Sequence, residues 1–136
     1  MANTTFTGPV RSENGFEDVT KNATTGAFTT NATYNATITG GVQSLSGAGA
    51  ADLTNLITEL TTAAGAAAVT LADGSTSGQV KIINHIVDGG GTATVTPVTF
   101  ANGTTIAFDA VGESVTLVWN STVGWVATSV NGATVA

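Results

Sequence analysis

Between residues 69 and 130 the chain consists of short apolar–polar alternations cut by glycine, asparagine and aspartate turns, and this pattern most limits what it can fold into. Alternation puts successive side chains on opposite faces, which suits a strand and not a helix. VTLAD opens the series and GSTSG turns it. QVKIINHIV at 79–87 predicts a long strand, with Val80, Ile82, Asn84 and Ile86 on one face and Lys81, Ile83, His85 and Val87 on the other. DGGG at 88–91 is a glycine turn. TATVTPVTF follows, where Pro97 suggests an edge or a bulge because proline cannot donate to a ladder. TTIAFDA presents Ile106 and Phe108 on one face, and SVTLVWN presents Val115, Leu117 and Trp119. STVG leads into WVATSV, and Asn131-Gly132 opens a short tail. Six or so strands at roughly 8–12-residue spacing predict an all-β sandwich, jelly-roll-like domain or small barrel.

The N-terminal half is less regular. VQSLS at 42–46 reads as a short strand. ADLTNLITELTTAA at 51–64 fits two patterns. Leu53, Leu56, Ile57 and Leu60 form a helical stripe with Asp52 as a cap, whereas Leu56, Thr58, Leu60 and Thr62 form a strand face. The β-branched residues tip the reading to strand. Residues 1–35 show no sustained period and read as an extended arm, with 36–136 as the β-rich body. Pro9 fixes its own φ and restricts Gly8, and Asn14-Gly15 is a turn signal. LADGSTSGQVKII and AFDAVGESVTLV form a weak internal echo, read as two similar hairpin corners.

Composition supports the β reading and narrows the function classes. The 27 threonines favour pleated backbone. Charged residues are 9% of the chain and net charge is −6, so Arg11, Lys21 and Lys81 cannot build a phosphate-binding patch. No nucleic-acid partner is expected. The longest apolar runs, such as AAGAAAV at 63–69, are far short of a membrane span, and no secretory leader is expected from the N-terminal residues. With no cysteine, disulfides and thiolate metal sites are excluded.

Enzyme chemistry is not legible. His85 is the single histidine, so a metal pair with Asp88 lacks the further ligands a site needs. Asp73, Asp88 and Glu113 fall in turns, where acids usually bond their own backbone. GGGT at 89–92 is followed by neither GK[ST] nor a helix. The six Asn-x-Ser/Thr triplets fit an Asn- and Thr-rich composition. No catalytic residue, metal or cofactor is expected. Trp119 and Trp125 flank NSTVG and read as a cross-strand core pair, with an exposed sugar platform, joined by Tyr34, as the rival reading.

Several stretches carry a family resemblance. FTGPVRSENGF at 6–16, SLSGAGAADLTNLITELTT, TLADGSTSGQVKII, DGGGTATVTP, ANGTTIAFDAVGESVTLVWN and GWVATSVNGATVA follow one another in order. Across essentially its whole length the chain resembles the small decoration, or cement, proteins of tailed bacteriophages, particularly those of marine phages. The resemblance implies a non-enzymatic virion protein on the outer capsid surface, commonly a homotrimer at threefold or quasi-threefold positions, with the major capsid protein as partner. On that reading the N-terminal arm grips the shell, and Phe6, Pro9, Val10, Arg11 and Phe16 are the expected capsid-binding residues. The alternative is a head-fibre or tail module that contacts host-surface glycans.

Overall fold

The computed structural model describes residues 16–34 and 41–136. The chain divides into two compact units, Met1–Thr37 and Ile38–Ala136.

In the first unit, β1 (Phe16–Lys21) and β2 (Phe28–Tyr34) form an antiparallel hairpin with a register shift between Asp18 and Val19. The sequence pattern suggested no strand at 16–21. The signal is local instead. The Asn22 side-chain oxygen accepts hydrogen bonds from the Thr24 and Thr25 N–H groups at 2.8 and 3.0 Å, an Asx turn that reverses the chain. Of the expected anchors, Phe6, Pro9, Val10 and Arg11 lie outside the described residues, and Phe16 is the first residue of β1.

Among the described residues, the second unit contains ten strands. They are β3 (Val42–Ser46), β4 (Gly49–Ala51), β5 (Ile57–Thr61), β6 (Ala67–Leu71), β7 (Val80–Val87), β8 (Ala93–Pro97), β9 (Ile106–Phe108), β10 (Ser114–Asn120), β11 (Gly124–Asn131) and β12 (Thr134–Val135). They form two five-stranded mixed sheets, β11-β10-β7-β5-β3 and β12-β9-β8-β6-β4. The unit is all-β, as expected. The sheets do not close on each other, so the small-barrel alternative is set aside. A jelly roll is antiparallel, whereas four of the ladders here are parallel.

The parallel ladders arise from a repeated crossing. From β3 to β8 the chain alternates sheets: odd-numbered strands enter the first and even-numbered strands the second. Val42, Ile57 and Ile82 therefore stack in one row, and Leu45, Leu60 and His85 in another. Then the direction reverses. β9 pairs antiparallel with β8, β10 with β7, β11 with β10, and β12 with β9. The first three windings differ in length, so no fixed sequence period marks them.

The echoed segments are sheet-to-sheet corners, not hairpins. Residues 72–79 join β6 to β7, and 109–113 join β9 to β10. Each is closed by a side chain at its far end: Gln79 Oε1 accepts from the Ser75 N–H at 3.0 Å, and Glu113 Oε2 from the Asp109 N–H at 2.6 Å. Pro97 is also not on an edge strand. β8 lies mid-sheet, but Pro97 is its last residue, past Val95, where pairing with β9 stops. The chain's next donor toward β6 is the Val98 N–H, bonded to Leu71 O at 2.9 Å.

The two inward faces share one core, which includes Leu60 and Leu117 from the first sheet and Leu71, Val95, Ile106 and Phe108 from the second. Segment 51–64 resolves into the end of β4, a turn and β5, and Thr58, Leu60 and Thr62 point into the core as the strand face predicts. Asp52 caps no helix. Its Oδ1 accepts from the N–H groups of Thr54 and Asn55 at 3.1 and 2.8 Å, turning the chain into β5.

Gly124 ends the β10–β11 turn with φ of 91°, and an added Cβ would come within 2.6 Å of Thr99 Cγ2. Left-handed strain and collision act together, so Gly124→Ala is expected to cost about 1–3 kcal/mol in chemical denaturation.

Candidate functional site

The candidate binding surface is the outer face of the first sheet. Strand alternation sends Val42 and Ser44 of β3, Ile57 and Glu59 of β5, Val80, Ile82 and Asn84 of β7, and Val118 of β10 to the side opposite the core. Cross-strand register groups them. Val42, Ile57 and Ile82 form one apolar row, and Val80, Val118 and Val126 a second. Val42 is 52% exposed and Val80 38%, while Ile57, Ile82, Val118 and Val126 are half-buried. Ser44, Glu59, Asn84 and Ser114 form the neighbouring polar row.

Electrostatics favour an uncharged or basic counterpart. Residues 41–136 contain six acids and one basic side chain, Lys81, which is only 1% exposed. The surface of this unit therefore carries negative charge without a counterbalancing lysine or arginine.

β7 turns its more polar face inward. Lys81, Ile83 and His85 are buried, although Val80, Ile82 and Ile86 make the more apolar face. The buried polar groups have partners, which lowers the cost of burying them. Lys81 Nζ donates to Asn55 O at 2.8 Å. His85 Nδ1 lies 3.0 Å from Ala110 O; a carbonyl only accepts, so this nitrogen carries the proton. His85 Nε2 lies 3.2 Å from Thr62 Oγ1, which also contacts Asp88 Oδ1 at 3.3 Å and accepts from the Gly89 N–H at 3.1 Å. His85 and Asp88 thus meet through a threonine hydroxyl rather than around an ion. Among the described residues no group of three or more His, Asp or Glu is placed to hold a metal. The Thr62 bracket pins the DGGG turn to the end of β5, and Gly89 passes so close to Thr62 and Ala63 that a Cβ would collide with their backbone.

Glu113 makes the acid limb of stability measurable. Burial raises its pKa, but hydrogen bonds from the Asp109 and Ala110 N–H groups outweigh this and, with the nearby His85, hold it below its ordinary 4.5. A carboxylate with a depressed folded pKa stabilises the fold above its unfolded value, and the contribution is lost as pH falls through the folded one. Unfolding free energy is therefore expected to decline below about pH 4.5, and Glu113→Gln to flatten that limb in a pH series of urea titrations.

The sugar-platform reading of the tryptophans is not supported. Trp125 is fully buried and Trp119 is 7% exposed; their rings meet edge-on with centroids 5.4 Å apart. They are directly paired across β10 and β11, as the core reading predicts. Both are expected to resist quenching by iodide in fluorescence titrations. The two apolar rows on the outer face escaped sequence reading because alternation defines two faces without saying which is covered.

No protein-family model matches the chain, and no curated protein matches it significantly.

Proposed function

We propose that the protein is a capsid decoration protein that binds the outer surface of a phage head and stabilises the shell by bridging capsomers. The observation that carries this reading is the ordered series of segments, from FTGPVRSENGF to GWVATSVNGATVA, that resembles such proteins along the whole chain. The outer sheet face gives the reading a physical counterpart, since two adjacent apolar rows with a polar border suit a broad contact surface. The net negative surface suits a protein outside the shell, away from packaged nucleic acid.

In this proposal the chain acts as a homotrimer without catalysis or cofactor. Three copies can cover strand edges such as β3 and β11 and present three arms together. Phe6, Pro9, Val10, Arg11 and Phe16 supply the grip, with aromatics filling pockets and Arg11 meeting a carboxylate or carbonyl. Binding only the expanded shell stabilises it by mass action. The test is co-sedimentation of the purified protein with expanded, genome-free shells of the phage. Saturable binding that raises the shell's melting temperature is the expected result. No binding to expanded shells would refute the proposal.

A further inference from the structure

The turn between β4 and β5 brings an amine, a carboxylate and a carboxamide together beside the core. Lys81 points inward from β7, and its Nζ lies 2.8 Å from the backbone oxygen of Asn55 and 3.9 Å from Asp52 Oδ1. The other oxygen of that carboxylate, Oδ2, accepts from Asn55 Nδ2 at 2.7 Å. One carboxylate therefore faces both the lysine amine and the asparagine amide. The amide is confined from its far side, where Asn55 Oδ1 abuts Gly41 so closely that a Cβ at position 41 would overlap it.

Solvation of Lys81 is poor for a charged group. An ammonium has three N–H donors, and among the described residues Asn55 O is its one hydrogen-bond acceptor. Burial lowers its pKa from the ordinary 10.5 and Asp52 only partly opposes this, which favours the neutral, nucleophilic amine. Burial acts to raise the Asp52 pKa, but hydrogen bonds from Asn55, the Lys81 charge and Thr54 leave it below 3.8, so Asp52 stands as an ionised carboxylate with oxygens toward both the amine and the amide.

We propose that Lys81 and Asn55 join in an intramolecular isopeptide bond, with Asp52 carrying the proton between them. The Nζ lone pair attacks Asn55 Cγ. Asp52 accepts a proton from Nζ and delivers it to Nδ2, the Cγ–Nδ2 bond breaks, and ammonia leaves. One amide replaces another, so no oxidant, reductant or cofactor is consumed. The product ties the β4–β5 turn to β7 and replaces the buried titratable amine with a neutral amide. This bond is independent of what the outer surface binds.

The test is intact-mass and fragment mass spectrometry of the wild-type full chain, folded and incubated to constant mass. A deficit of about 17 Da, one ammonia, is expected. After denaturation, trypsin should fail to cut at Lys81. Cleavage after Glu59, which lies between the two residues, should leave the fragments covalently joined. Asp52→Asn keeps the shape but removes the proton carrier, and should hold its full mass when wild type has reacted. Full mass for wild type, or a deficit that maps to succinimide at an Asn-Gly pair while trypsin cuts normally at Lys81, overturns the proposal.

Discussion

Replacing Trp125 with alanine is expected to lower the unfolding free energy by about 3–5 kcal/mol, the range for deleting a buried tryptophan. The side chain is fully buried and packs edge-on against Trp119. Its indole N–H donates to Ala72 O at 2.9 Å, which ties β11 of the first sheet to the corner leaving β6 of the second. Alanine would open a cavity and leave that carbonyl without its donor. A domain of this size has roughly 5–15 kcal/mol in total, so the loss would be a large share. Trp125→Phe separates the two effects. It keeps most of the volume and removes the donor, and about 1–3 kcal/mol is expected. Urea unfolding followed by circular dichroism measures both. A loss below about 1 kcal/mol for Trp125→Ala would mean that the two sheets are not joined at this tryptophan.

Deleting residues 2–16 is expected to have the largest effect on shell binding. If three arms engage together, linkage strengthens binding by on the order of 10²–10⁴ beyond a single arm, and removing them should cost a comparable factor in apparent affinity. The deletion also removes the first residue of β1, Phe16, which pairs with Tyr34. A double substitution, Phe6→Ala with Arg11→Ala, leaves the β1–β2 hairpin sequence intact and should weaken binding in the same direction. Unchanged shell occupancy for both variants would exclude the arm as the grip and leave the outer sheet face as the contact surface.

Much of the body was legible because alternation reports faces directly. Val115, Leu117 and Trp119 share a face in the sequence and are buried together, as are Ile106 and Phe108. Partnering was not legible. The pattern that places Leu60 on a face says nothing of its lying between Leu45 and His85 in parallel ladders, because the windings are joined by corners of unequal length. Apolarity alone would also bury the wrong face of β7. Lys81 and His85 go inward because Asn55, Thr62 and Ala110 supply their hydrogen bonds, and those partners lie 23 to 26 residues away in sequence. The hairpin at 16–34 was missed for a related reason. Its turn is set by one asparagine side chain, while its strands mix Thr, Asp, Glu and Asn without a clear apolar face.

The most direct test of the capsid-decoration proposal is a cryo-electron microscopy map of the intact phage particle. The account expects density that fits the two five-stranded sheets on the outside of the head, at threefold or quasi-threefold positions. Density for this protein on the tail or inside the shell, or an undecorated head in particles shown by mass spectrometry to contain the chain, would contradict it.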